Sequence, residues 1–149
     1  MKKQLQPLYD YNRWANDLFA EVLDKGEYKH KKIDLFFSHI AAAQMTWLSR
    51  ITEVDKKVPG VFELMPHEET CELLNYSNQR YIELIDECQD FDQLVHYTTT
   101  TGEPFSNRLA DLLTHVANHG THHRGQIALL LREEGIAPPA SDYIFYLRA

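Results

Sequence analysis

The chain has 149 residues, 44% of them hydrophobic, and a formal net charge of −7 from 15 basic and 22 acidic side chains; that length predicts one domain over residues 1–149 with a sizeable core. No stretch concentrates lysine and arginine, which argues against a nucleic-acid partner bound through its phosphates. No apolar run approaches the ~20 residues of a membrane span, and Met1-Lys2-Lys3-Gln4-Leu5-Gln6-Pro7 lacks the apolar core of a signal peptide, so no membrane partner and a cytoplasmic location are expected.

The first helical pattern runs from about Gln4 to Asp24, where Leu8, Tyr11, Ala15, Leu18, Phe19 and Val22 recur at three- and four-residue steps. Asn12 in its interior has poor helix propensity and predicts a specific hydrogen bond. Gly26 closes the helix. A second helix spans about Lys31 to Ile51, with Phe36, Ile40, Ala43, Trp47 and Ile51 as its apolar stripe and His39 on the edge of that stripe. Thr52 to Pro66, roughly fifteen residues, is too long for a tight hairpin and can run the whole side of a bundle. The second and third helices therefore need not be antiparallel neighbours.

The third helix begins at the acidic start His67-Glu68-Glu69 and continues to about Gln89. Leu94 to Phe105 is β-prone with Thr-Gly as a turn signal, and reads as a short hairpin or as one strand and a loop. Ser106 or Asn107 is the expected cap of a fourth helix that runs to about Glu134 and is ended by Gly135. The aromatic tail Asp142-Tyr143-Ile144-Phe145-Tyr146-Leu147 is expected to pack back onto the bundle. The fold class is all-α: a four-helix bundle with a long crossover between helices 2 and 3. Cys71 and Cys88 form no Cys-x-x-Cys pair and read as reduced thiols, so histidines must hold any bound metal.

The fourth helix carries four of the eight histidines, in His115-Val116-Ala117-Asn118-His119-Gly120-Thr121-His122-His123. His119 and His123 stand one turn apart, the spacing with which one helix offers two imidazoles to one ion. Taken at about 100° per residue, Leu112, Leu113, Val116, Ile127, Leu130 and Leu131 fall within roughly 60° of one direction. His123 lies inside that stripe and His119 on its flank, with His115 and His122 further round. This is not the metalloprotease pattern, because Gly120 stands where a glutamate would follow the first histidine. A bundle would bring the second helix's stripe against this face, and His39 is the only well-centred histidine on another helix. The competing reading is a polar flank whose histidines only make hydrogen bonds.

Four stretches together resemble the DinB/YfiT-like family of small metal-binding four-helix proteins. They are Tyr11-Asn12-Arg13-Trp14-Ala15-Asn16, His39-Ile40, Asn118-His119-Gly120-Thr121-His122-His123-Arg124-Gly125-Gln126, and Asp142-Tyr143-Ile144-Phe145-Tyr146-Leu147-Arg148. The resemblance implies a divalent metal held by His39, His119 and His123. It also implies a homodimer and, by analogy with relatives of assigned activity, a transferase or isomerase that uses a low-molecular-weight thiol such as bacillithiol or mycothiol with an electrophilic substrate. His122 stands where many relatives carry an aromatic residue and could be a fourth histidine near the ion.

Three imidazoles leave an ion its full charge and an open position for a thiol or for water. Zinc or nickel is expected ahead of iron or copper, though spacing does not separate them. His115 and Gln126 are candidates for a general base or for holding an imidazole N–H. Arg124 could anchor an anionic substrate, but on a helix it reads first as a solvated surface charge. Two other classes stay open: a non-enzymatic metal-binding or stress-response protein with a closed, four-ligand site, and a purely structural bundle.

Overall fold

A computed structural model describes residues 1–149. Its helices are α1 (Lys2–Asp24), α2 (Lys32–Ile51), α3 (His67–Glu87), α4 (Leu109–Glu133) and the short α5 (Tyr143–Tyr146), with strands β1 (Leu94–Thr98) and β2 (Pro104–Arg108) just before α4. The helix α1 starts two residues earlier than its sequence pattern suggests and runs through Pro7. A proline there removes only the N–H that would reach Lys3, whose own side chain is in solvent.

Side-chain pairings give the direction of each helix. Lys2 meets Asp86, Tyr9 meets Tyr81 and Asp24 lies by His67, so α1 and α3 are antiparallel. Ser38 with Thr70 and Gln44 with Ser77 make α2 and α3 parallel neighbours. Tyr9 with Leu113 and Asn16 with Arg124 make α1 and α4 parallel, while Phe36 with His123 and Trp47 with His115 make α2 and α4 antiparallel. Two parallel neighbours cannot be joined by a tight turn. The crossover of residues 52–66 is the length of chain that carries α2's end back to α3's start.

The interior has two apolar halves. One is built from Phe19, Leu23, Ile33, Phe37, Ile40, Met45, Leu74, Ile127 and Leu131; the other from Leu5, Tyr9, Leu48, Tyr81, Ile85, Leu109, Leu113 and Val116. Between them lies a polar layer of Asn12, Asn16, Gln44, Ser77, Asn78 and Arg124, all buried. Asn12 donates to Gln44 Oε1 at 3.1 Å and to Asn78 Oδ1 at 3.4 Å, and Gln44 donates to Ser77 Oγ at 2.9 Å. Asn12 makes the specific bond expected of a helix-interior asparagine, and the layer ties all four long helices into one register.

The hairpin β1–β2 is antiparallel, with Val95 opposite Asn107 and His96 opposite Ser106. Ser106 and Asn107 therefore lie in a strand and do not cap α4, contrary to the sequence reading. Arg108 stands at the cap position but its side chain does not cap the helix, and the free donors are met by backbone instead: Leu109 N–H reaches Gln93 O and Ala110 N–H reaches Phe91 O, each at 3.0 Å.

The tail folds back only in part. Tyr143 and Tyr146 pack on Tyr11, at ring separations of 5.1 and 5.9 Å, and Tyr146 also packs on Trp14. Ile144, Phe145 and Leu147 stay exposed. Both cysteines are free and half-buried. No helix is long and apolar enough to cross a membrane.

Gly120 leaves room on α4 for the Asn12 and Arg124 side chains of the polar layer. A Cβ there would sit 2.8 Å from Asn12 Oδ1 and 3.0 Å from Arg124 Nη1. Gly120→Ala gains roughly 1 kcal/mol of helix propensity but forces the polar layer apart, at about 1–3 kcal/mol. The expected outcome is a net loss of stability, read as a lower urea midpoint with an unchanged m-value; a midpoint above wild type would contradict it.

Candidate metal centre

Three imidazoles converge between α2 and α4. One ligand nitrogen from each of His39, His119 and His123 lies within 4.8 Å of the others, so the group could hold a metal ion. The antiparallel packing of α2 on α4 brings His39 to the level of the turn that carries His119 and His123. His39 is 5% exposed, on the edge of the α2 stripe that also buries Ile40; His119 and His123 are half-buried.

The hydrogen bonds of the imidazoles prepare them as donors to a cation. His39 Nδ1–H donates to the carbonyl of Val61 at 2.6 Å, and His123 Nδ1–H to Gln126 Oε1 at 2.6 Å. With Nδ1 protonated in each ring, Nε2 carries the lone pair. His119 Nε2 lies 3.1 Å from His123 Nε2, close to the ~3.4 Å that separates two nitrogens on one tetrahedral zinc. Without an ion the pair must share a proton as one N–H···N bond.

Burial, ahead of the neighbouring charges of His123 and His39, pushes the His119 pKa down to about 3. Burial also lowers His123, opposed by its bond to Gln126. Both are neutral at pH 7, which is the form that ligates a metal.

The walls are aromatic. Phe62 of the crossover stacks on His39 with ring centroids 4.5 Å apart and planes 8° apart, and is itself 64% exposed. Phe36 lies against His123 at 5.7 Å. His115 sits beside the group, its ring 5.8 Å from that of His119 and 5.1 Å from Trp47, and burial lowers its pKa as well. Gln126 takes the orienting place that sequence reasoning offered it. His122 is solvent-exposed, its ring 5.0 Å from that of His123, and it does not join the group.

Arg124 overturns the reading of a solvated surface charge. It is 1% exposed. Its Nη1 donates to Asn12 Oδ1 at 2.8 Å and Asn16 Oδ1 at 2.7 Å, Nη2 donates to Thr121 Oγ1 at 3.1 Å, and the guanidinium lies 5.5 Å from the Tyr11 ring centroid. No carboxylate pairs with it, and burial pulls its pKa down. The reversal follows from where the residue points: the face of α4 one step round from His123 is turned toward α1. Sequence reasoning also missed Val61, which contributes only a backbone carbonyl and so leaves no mark in the side-chain pattern.

A family model described as "DinB family" matches residues 1–149. The chain is also similar to a protein named "Protein DinB" from Bacillus subtilis (strain 168), at 28% identity over 157 aligned positions covering 94% of this chain and 91% of that protein.

Proposed function

The chain belongs to the DinB family, and from that premise we propose that it is a divalent-metal-dependent enzyme that works on a low-molecular-weight thiol and an electrophilic substrate. The metal would be held by His39, His119 and His123. One observation carries this reading: the group brings together three histidines, joined by no cysteine, carboxylate or further histidine, the kind of ligand set that leaves an ion an open position. A zinc or nickel ion held there would supply positive charge that favours the thiolate form of a thiol at neutral pH.

The chain's own residues do the rest. Val61 and Gln126 fix the faces of two imidazoles before any ion arrives, which lowers the reorganisation needed on binding. Phe62 and Phe36 back the outer rings with apolar surface. A site that only stapled the bundle would be closed by a fourth ligand, and His122, the next histidine at hand, lies outside the group.

The test is elemental analysis of untagged protein, wild type beside His123→Ala. Near one divalent ion per wild-type chain, lost in the variant, is the expected result. No metal in either, even after incubation with zinc and nickel, would sink the proposal. A loaded wild type is then screened for thiol transfer to electrophiles.

A further inference from the structure

Beyond the three histidines, ring-to-ring contacts continue from α4 across α2 to the hairpin. Centroid separations are 5.8 Å from His119 to His115, 5.1 Å from His115 to Trp47 and 5.1 Å from Trp47 to Tyr97 of the hairpin. At the end of this run stands Arg50, its guanidinium carbon 4.5 Å from the Trp47 centroid and 5.1 Å from that of Tyr97.

Arg13, Arg80 and Arg108 all pair with carboxylates, but no ion pair in the chain includes Arg50. The guanidinium packs against two rings whose planes stand 74° apart, and no carboxylate occupies its N–H groups, whose fork fits a carboxylate two bonds at a time. A chain of net charge −7 does not attract anions as a whole. An anionic ligand needs a local cation, and the run of rings ends on one.

We propose that Arg50 is an anion subsite of the three-histidine centre. It takes a carboxylate of the substrate whose reacting end lies at His119 and His123 and whose body rests on His115 and Trp47. The proposal rests on the metal–thiol reading of that centre and sets the size of the thiol. His39 and Arg50 are eleven residues apart on α2, about 16 Å of helix rise, so the ligand spans on the order of 10–15 Å. That is the length of a carboxylated tripeptide or sugar-linked thiol, and cysteine is too short to reach both ends.

The competing role, a staple that holds the hairpin on α2 and binds nothing, is separated by calorimetry on the full zinc-loaded protein. The probes are S-methylglutathione, which has no free thiol, and its dimethyl ester, which has no carboxylates. The acid is expected to bind about tenfold more tightly than the ester. In Arg50→Gln the two bind alike, with zinc content and Tm unchanged. Equal binding in the wild type, no binding of either probe, or a preference that survives in Arg50→Gln would each overturn the subsite. If Arg50→Gln lowers Tm, the comparison passes to Arg50→Lys, which keeps a cation over the rings and should hold the acid about threefold more tightly than the ester; equal binding there overturns the proposal. Glutathione added to cobalt-substituted protein tests the premise separately. No thiolate-to-cobalt absorption, with the S-methylglutathione preference intact, would remove the thiol reading and leave Arg50 as an anion site.

Discussion

Arg124→Ala is expected to lose about 3–5 kcal/mol of stability, with Tm lower by roughly 10 °C. Truncation leaves Asn12 Oδ1 and Asn16 Oδ1 without the donor that now reaches both at 2.8 and 2.7 Å. Each orphaned buried acceptor costs about 1–3 kcal/mol, and a void opens where a 1% exposed side chain stood. One term runs the other way: the guanidinium is buried with no carboxylate, so removing it returns part of its desolvation cost. Asparagine carbonyls and the Tyr11 ring already offset some of that cost, which makes the returned share the smaller one. Arg124→Met separates the terms, since it fills the space and still orphans the acceptors. Its loss should fall at about half that of alanine. Wild-type stability in Arg124→Ala would mean that the polar layer does not hold α4 to α1.

The second large effect is expected from the metal. Zinc added to metal-free wild type should raise Tm, and at free zinc a thousandfold above its Kd the added stability is about 4 kcal/mol. A chelator should reverse it. His119→Ala should abolish the increment, because it removes one of the three imidazoles, whose ring lies 4.9 Å from that of His39 and 4.4 Å from that of His123. The comparison must be made on untagged protein, where no other histidine cluster of this kind exists. A zinc response that survives in His119→Ala would place the ion somewhere else on the chain.

The helices and the three histidines could be read from the sequence because both follow one periodicity. His119 and His123 share a face with Val116 and Ile127, and His39 borders the face of Ile40, so packing apolar on apolar brings the rings together. The crossover was legible as a length and illegible as a partner. Its use of Val61 O and of the Phe62 ring depends on the path the backbone takes, and a 64% exposed phenylalanine has no sequence signature that separates it from any loop residue. Arg124 failed for a different reason. Charge alone sets the prior that an arginine is solvated, and only the asparagines opposite it on α1, Asn12 and Asn16, about one helix turn apart, could have argued otherwise. The cap of α4 failed because Ser106 and Asn107 are good caps that the hairpin claims first.

The parallel pairing of α1 with α4 also sets when the molecule can finish folding. Tyr9 waits for Leu113, 104 residues later, and Asn12 for Arg124, 112 residues later. Contacts so distant in the chain close late and slow the search compared with a bundle of successive hairpins. During synthesis, α1, α2 and α3 emerge with an open seam, and its apolar side stays uncovered until the last long helix arrives. Two of the three imidazoles ride on that helix. An ion held by that group would meet all three imidazoles only once α4 has joined the bundle, so it would lock the assembled fold and not template it.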